Sequence, residues 1–228
     1  MRKVILGFIA AVLTSSACLA ADLTATEKRW LKGLWPVVEF AWQSQLPLDI
    51  VVQPQPTPGA APLALAFVGG RCKLVLSMRG HRRAQDTLDA IAPDLVDATL
   101  ELMGAHELGH CRRYLDGAWY QLPAGFSASV PADLSTAMRA AYAGMKAARR
   151  EEGYGDLVGL AWIQQRHPQH YARLHAWLVA ERSAELVHGS HHDTLLWVRL
   201  AQHGADLAHA SIFARAGDLW AAGVAVDE

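Results

Sequence analysis

Two histidines and a glutamate stand at a spacing that suits a metal ion. Residues 106–110 read His106-Glu107-Leu108-Gly109-His110, which is the H-E-x-x-H pattern. Positions i and i+4 of an α-helix share a face, so both imidazoles can point at one metal ion. The Glu107 carboxylate can then reach a water on that ion, and zinc lowers the pKa of such a water to about 7. The pattern predicts zinc-assisted hydrolysis of a carbonyl compound such as a peptide.

A catalytic zinc usually has three protein ligands, and the sequence offers three sources for the last one. Asp116 ends a compact H-E-x-x-H-x-x-G-x-x-H/D arrangement, but Arg113 replaces the glycine of that pattern. A histidine from the cluster at 188–192 is the second source, and Glu152 is the third. Glu152 and Asp156 form an i, i+4 pair on a helix. One of them could bind the metal while the other accepts the N–H of a ligand histidine.

The order of these motifs resembles the gluzincin metallopeptidases, particularly the Ste24-like and minigluzincin families. H-E-x-x-H is followed, after 41 residues, by the E-x-x-x-D of Glu152 and Asp156. The resemblance covers about residues 70–200 and implies a small sheet over an active-site helix, with a second helix that supplies a glutamate ligand. It further implies these roles by position: Zn²⁺ ligands His106, His110 and Glu152, general base Glu107, and histidine-orienting carboxylate Asp156.

Two pairs of neighbouring residues leave alternatives inside this scheme. Glu151 competes with Glu152 as the third ligand, although no aspartate follows Glu151 at the fourth position. The segment 190–194 is similar to the S-x-H-P or S-H-P segment that follows the glutamate helix in Ste24-like enzymes, but it lacks the proline. His191 or His192 could stabilise the oxyanion of a tetrahedral intermediate there, and the sequence does not choose between them.

The N-terminus predicts export. Two basic residues precede an apolar run, Val4–Leu13, which has the length of a signal-peptide core and is too short to cross a bilayer. Cleavage after Ala20 fits the small-x-small rule, so we assign residues 1–20 to a signal peptide. An uncleaved anchor and a lipoprotein modified at Cys18 are the alternatives. For a Gram-negative source, this segment predicts a periplasmic protein.

The composition argues against several classes of protein. The chain has 21 basic and 22 acidic side chains, whereas a general nucleic-acid binder carries a basic excess. With 52% hydrophobic residues it is too apolar to be disordered, and its three cysteines are too few for a disulfide-built scaffold. After cleavage Cys72 and Cys111 remain, and in an oxidising compartment they are candidates for a disulfide. The eleven histidines are a surplus whose placement needs an explanation.

Hydrophobic periodicity predicts a helix, then a hairpin, then mostly helices. The first helix begins at a capping box, formed by Thr24 and Glu27. Strand-like runs follow at 48–53, 63–68 and 72–78, and the last two flank the turn signal Gly69-Gly70. The strand 72–78 or the preceding hairpin arm could bind an extended substrate as an edge strand, and 72–78 could equally lie inside the sheet.

The second half of the sequence predicts helices around the two motifs. A helix from Pro93 to about Leu115 carries H-E-x-x-H, and a loop follows to residue 131. The helical pattern after that loop has expected breaks near Gly153, His167-Pro168, Gly189-Ser190 and Gly204. Residues 21–228 are therefore predicted to form one α+β domain, mostly helical and zincin-like by resemblance, with a small sheet over the H-E-x-x-H helix.

These observations predict an exported zinc metallopeptidase that acts on a peptide or protein substrate. The alternative is a non-catalytic zinc-binding envelope or assembly protein that retains a metallopeptidase scaffold. Neither nucleic-acid binding nor a transmembrane span of the mature chain is expected. The sequence does not specify the substrate, the choice between endopeptidase and exopeptidase action, or the oligomeric state.

Overall fold

The computed structural model describes residues 22–55, 61–80, 82–117, 135–184 and 189–227. Its helices are α1 (Ala25–Gln43), α2 (Arg82–Ala90), α3 (Val96–Leu115), α4 (Thr136–Arg166), α5 (Tyr171–Ser183), α6 (Leu195–Leu200) and α7 (Ile212–Val226). Its strands are β1 (Leu48–Pro54), β2 (Leu63–Val68) and β3 (Arg71–Arg79). This mostly helical arrangement with one small sheet confirms the predicted α+β class. The signal peptide (1–20) and nearly all of the predicted loop up to residue 131 lie outside the described residues.

The first helix begins at the predicted capping box. The Thr24 hydroxyl accepts a hydrogen bond from the Glu27 backbone N–H at 3.2 Å, and the Glu27 carboxylate accepts one from the Thr24 N–H at 2.7 Å. Glu27 is fully buried and also accepts a hydrogen bond from Arg79 of β3 at 2.9 Å. These contacts tie α1 to the sheet, while Gly33 lets the same helix pack closely on Leu100 of α3.

The interior strand of the sheet is β3, since the strand order is β1-β3-β2. β1 pairs with β3 in parallel, and β2 pairs with β3 antiparallel. Gly69 and Gly70 both have positive φ, 60° and 75°, which suits the two-residue turn between β2 and β3. Segment 72–78 is therefore the interior strand. The hairpin arm β2 has an edge that pairs with no other described strand.

Helices α3 and α4 cross closely where both carry glycine. A Cβ added to Gly109 would lie 3.3 Å from the Cα of Gly155, and a Cβ added to Gly155 would lie 2.8 Å from the His106 ring. At Gly153, a Cβ would lie 2.5 Å from Trp197 of α6. The predicted break near Gly153 is therefore wrong. The helix continues because these glycines serve close contact with neighbours rather than a turn.

The region before α3 also differs from the expectation. The helix begins at Val96 rather than Pro93, after a turn in which the Leu95 N–H donates to the Ala92 carbonyl at 2.8 Å. The preceding helix α2 is not evident from periodicity, because it buries just two side chains, Ala84 and Leu88. Within the described residues, no helix combines the length and hydropathy that a bilayer span requires.

A disulfide between Cys72 and Cys111 joins the sheet to the H-E-x-x-H helix. Both cysteines are fully buried, and Cys111 directly follows His110. The bond therefore links the interior strand β3 covalently to the C-terminal part of α3. The position of β2 above α3 depends on this link through the β2–β3 hairpin.

Replacing both cysteines, Cys72→Ala with Cys111→Ala, is expected to lower the free energy of unfolding. The cysteines are 39 residues apart, and closing a loop of that length is worth about 4 kcal/mol through the entropy of the unfolded chain. Urea unfolding of the oxidised wild type and of the double variant measures the loss. The wild type in reductant serves as the control and should approach the double variant. A loss below about 1 kcal/mol would contradict the prediction.

Candidate metal centre

The side chains of His106, His110 and Glu152 converge between α3 and α4. The two histidine Nε2 atoms are 3.0 Å apart, and the Glu152 carboxylate oxygens lie 3.2 Å from Nε2 of His106 and 3.5 Å from Nε2 of His110. A tetrahedral zinc with bonds of about 2.0–2.1 Å holds its ligand atoms about 3.3–3.4 Å apart. The three side chains thus have both the donor chemistry and the spacing that fit Zn²⁺.

The charges at this point also favour a cation. Burial opposes protonation of His106, but hydrogen bonds and charges from Asp156 and Glu152 raise its pKa to about 10. Burial likewise opposes ionisation of Glu152, yet the two histidines hold its pKa well below the usual value. A proton on His106 therefore supplies positive charge to the metal-free chain, and a divalent cation would replace it.

Asp156 connects the candidate ligands to α5 and to the start of α6. Its carboxylate is fully buried and lies 3.0 Å from Nδ1 of His106. Arg182 donates two hydrogen bonds to it, at 2.8 and 2.6 Å, and the Thr194 hydroxyl donates a third at 2.5 Å. Burial alone would raise the pKa of Asp156, but Arg182 and His106 keep it well below its usual value. An ionised carboxylate there can accept the Nδ1–H of His106 and leave Nε2 for the metal.

Two of the alternative third ligands lie elsewhere. Glu151 accepts two hydrogen bonds from Arg113, both at 2.8 Å, although it is the immediate neighbour of Glu152. Asp116 follows the last residue of α3 and accepts a hydrogen bond from Arg112 at 3.0 Å. Asp116 is exposed and does not reach the candidate ligands, so the compact arrangement does not form.

Glu107 lies in the same cleft as the three candidate ligands. Its side chain is half-buried, and burial raises the pKa of the carboxyl above its ordinary value. The charges of His106 and His110 and a hydrogen bond from the Leu65 backbone act in the opposite direction. A carboxylate with a raised pKa beside a metal position has the properties of a general base.

His192 and His191 differ in their position relative to the cleft. Nε2 of His192 lies 3.9 Å from a carboxylate oxygen of Glu152, and the side chain lines the cleft. Burial lowers the pKa of His192, which favours a neutral imidazole. The exposed ring of His191 packs on that of His192, with centroids 4.1 Å apart, and is not among the described residues that line the cleft. Of the two, His192 is the one with access to the metal position.

The contribution of Arg182 and Thr194 does not follow from the sequence pattern. Arg182 lies 26 residues after Asp156, on a different helix, and Thr194 lies 38 residues after it. No periodicity relates positions so far apart. One physical argument does point to them, because a fully buried carboxylate needs a cation and hydrogen-bond donors.

The cleft that holds these groups has a volume of about 590 Å³. Its upper wall is formed by the chain from Ala61 to Leu65, including the first half of β2. The α3 face from Leu102 to Tyr114 lies below, and Trp177–Arg182 of α5 form another wall. The candidate metal position is thus reached from a groove that runs along a sheet edge.

Replacing Glu152 is expected to remove zinc, whereas replacing its neighbour is not. We expect Glu152→Ala to lower zinc affinity by about 100-fold or more, because one of three protein ligands is lost. Glu151→Ala removes a carboxylate that binds Arg113, so it should keep one zinc per chain. Metal analysis of both purified variants measures the stoichiometry. Full zinc occupancy in Glu152→Ala would show that another residue is the ligand.

Adding one methyl group at Gly155 is expected to disturb the site through His106. Gly155→Ala brings a Cβ to 2.8 Å from the His106 ring, so we expect about 1–3 kcal/mol of lost stability and at least tenfold weaker zinc binding. Gly144→Ala is the matched control on α4, since nothing lies within 4 Å of its Cβ, and alanine there should add about 0.5–1 kcal/mol. Chelator competition and urea unfolding measure both effects. Unchanged zinc affinity in Gly155→Ala would contradict this account.

Comparisons of the chain with protein-family models, with curated proteins and with solved structures find no match. The resemblance to gluzincins therefore depends on two short motifs. The same catalytic groups can occur on unrelated folds. Function has to be inferred from the chemistry of the residues that meet in this cleft.

Proposed function

We propose that this protein is an exported, zinc-dependent metallopeptidase of gluzincin type that hydrolyses peptide bonds. The observation that carries the proposal is the juxtaposition of Glu107 with three potential ligands in one cleft. The ligand atoms of His106, His110 and Glu152 all lie within 4.8 Å of one another. A base and a metal position on adjacent residues of one helix are the groups that such hydrolysis requires.

His106, His110 and Glu152 would hold the zinc ion. When bound, zinc polarises a substrate carbonyl and lowers the pKa of a coordinated water to about 7. Asp156 keeps the His106 ring in one orientation by accepting its Nδ1–H, and Arg182 keeps Asp156 ionised. The protein therefore holds the ligand atoms in position before the metal binds, which reduces the reorganisation that binding requires.

Glu107 performs the proton transfers. Its carboxylate takes a proton from the attacking water and later delivers it to the nitrogen of the departing amine. Partial burial raises its pKa, so the acid formed halfway through the reaction persists long enough to protonate the leaving group. His192, at the rim of the same cleft, can donate a hydrogen bond to the oxyanion of the tetrahedral intermediate.

The edge of β2 supports binding of an extended peptide. Its backbone forms the upper wall of the cleft, and the backbone of Leu65 is near enough to Glu107 to lower the pKa of that carboxyl. Backbone groups on a strand edge can pair with a further strand, so a substrate backbone could align along β2 with its carbonyl near the metal position. This mode of binding uses main-chain groups that are common to all peptides.

Two features support the exported location. The N-terminal sequence has the basic start, apolar core and small residues of a signal peptide. The buried disulfide between Cys72 and Cys111 suits an oxidising compartment, since cytosolic thiols are kept reduced. A periplasmic location in a Gram-negative source is consistent with both.

The Glu107→Gln variant tests the enzymatic role. We expect it to retain one zinc per chain and to lose at least 10²-fold in peptide cleavage, because the base is removed and the ligands are not. Cleavage of casein or a labelled peptide library measures the rate. Glu39→Gln, on the exposed part of α1, is the control and should cleave like the wild type.

The outcomes of this experiment separate the two candidate functions. Equal cleavage by the wild type and Glu107→Gln would rule out Glu107 as the base. Zinc bound by a wild type that cleaves none of the peptides would favour the non-catalytic zinc-binding protein instead.

A further inference from the structure

One half of the cleft contains groups that the proposed hydrolysis does not use. At the start of α5, Arg173 forms an ion pair with Asp94, just before α3. Near the end of α5, Arg182 binds Asp156 beside His106. Helix α5 therefore extends from near the start of α3 to the candidate ligands, and it forms one wall of the cleft. Its cleft-lining residues between these two contacts are on the side of the metal position toward the N-terminus of α3.

Trp177 and Glu181 are the pair of interest on this wall. They stand at positions i and i+4 of α5, so they share one face of the helix, and both line the cleft. Trp177 is half-buried and packs against the hydrophobic core, which holds its ring in place. Glu181 is exposed to the cleft. A fixed aromatic face beside an accessible carboxylate is a favourable environment for a cation.

The Glu181 carboxylate is available for a ligand. Its neighbour Arg182 donates hydrogen bonds from Nε and Nη2 to Asp156, at 2.8 and 2.6 Å, and interacts with Glu181 through its charge rather than through a hydrogen bond. No hydrogen bond or ion pair joins Glu181 to another residue of the described chain. A charge that lines a cleft and forms no hydrogen bond within the described part of the chain can bind a charge on the substrate.

The rest of this half of the cleft suits a long, partly apolar side chain. Met103 lies one turn before His106 on α3, and it lines the cleft together with Leu178. The methionine side chain is flexible and adapts to the shape of an aliphatic chain. The methylene groups of lysine or arginine could lie on these apolar groups while the charged end reaches Glu181.

We propose that Trp177 and Glu181 form a subsite for a basic side chain, so that the cleft prefers to bind peptides that place a lysine or arginine near the candidate metal position. This inference rests on the proposed function only in taking a peptide as the ligand. The carboxylate of Glu181 binds the cationic end, the Trp177 ring faces it, and Met103 contacts the methylene groups.

Arg83 of α2 is an exposed charge of opposite sign that lines the same cleft. No ion pair joins it to another described residue. It would repel a basic side chain and attract an acidic one, so it offers a test of which charge governs selection. If Glu181 governs, neutralising Arg83 leaves the preference for a basic residue in place.

Binding to the zinc-loaded Glu107→Gln variant tests the subsite without requiring cleavage. The probes are fluorescein-labelled alanine-rich octapeptides that carry one lysine, or one norleucine of similar shape, at each position in turn. We expect at least one position where lysine binds about five- to tenfold more tightly than norleucine. Adding Glu181→Gln should reduce that ratio to about one. Adding Arg83→Gln instead should leave it at fivefold or above. Fluorescence anisotropy measures each Kd.

Each outcome decides the proposal. Equal binding of lysine and norleucine peptides at every position, or no peptide binding, would overturn it. A preference that survives Glu181→Gln, or that disappears in Arg83→Gln, would do the same. Lysine preference without cleavage by the wild-type protein would refute the peptidase and leave the subsite standing. Cleavage without lysine preference would support the peptidase and overturn the subsite.

Discussion

The close crossing of α3 and α4 is the constraint on which the rest of the site depends. Helices with ordinary side chains at the contact pack with axes about 8–10 Å apart. Here Gly109 faces Gly155, and the His106 ring occupies the space above Gly155 that a side chain would fill. The glycines therefore bring the Glu152 carboxylate within 3.5 Å of both histidines. Glycine normally lowers the stability of a helix. In α4 the glycines allow the close helix contact that brings the candidate ligand atoms of His106, His110 and Glu152 together.

The crossing creates an electrostatic problem that α5 and the residues before α6 resolve. Glu107, Glu152 and Asp156 bring three carboxyl groups to one cleft, where two are partly buried and Asp156 is fully buried. Charges in such a place are costly unless they are paired. Arg182 and Thr194 satisfy Asp156 with three hydrogen bonds, and His106 lies between Asp156 and Glu152. The cluster then needs further positive charge, which a proton or a divalent cation can supply.

The sheet adds the part of the cleft that could hold a substrate backbone. The disulfide attaches β3 to α3 beside His110, and the tight turn at Gly69 and Gly70 fixes β2 relative to β3. One strand edge is consequently held above the H-E-x-x-H helix, where Leu65 and Glu107 line the same cleft. Helix α5 forms another wall of the cleft. Near its end Arg182 binds Asp156, and Trp177 and Glu181 line the cleft from the same helix.

Much of the fold follows from local patterns, because capping, turns and amphipathic periods involve residues within a few positions of one another. The capping box at Thr24, the hairpin at Gly69-Gly70 and the helix that carries H-E-x-x-H are of this kind. Helix α2 was not predicted because few of its residues are apolar. The predicted break at Gly153 was wrong because a glycine in a helical pattern indicates a break unless another helix packs against it.

The sequence by itself determined which residues could act on a metal, because the helical spacing of H-E-x-x-H and E-x-x-x-D places their polar side chains on one face of each helix. Only the tertiary structure decided which neighbour faces the ligands. It directs Glu152 toward the histidines and Glu151 toward Arg113, and it brings His192 rather than His191 to the cleft. It also supplies Arg182, far along the chain from Asp156. For Glu151 and Glu152 the physical reason is that adjacent residues on a helix point about 100° apart, so the packing of α4 selects the one that meets the site. His191 and His192 lie in a turn before α6, whose position depends on contacts far along the chain.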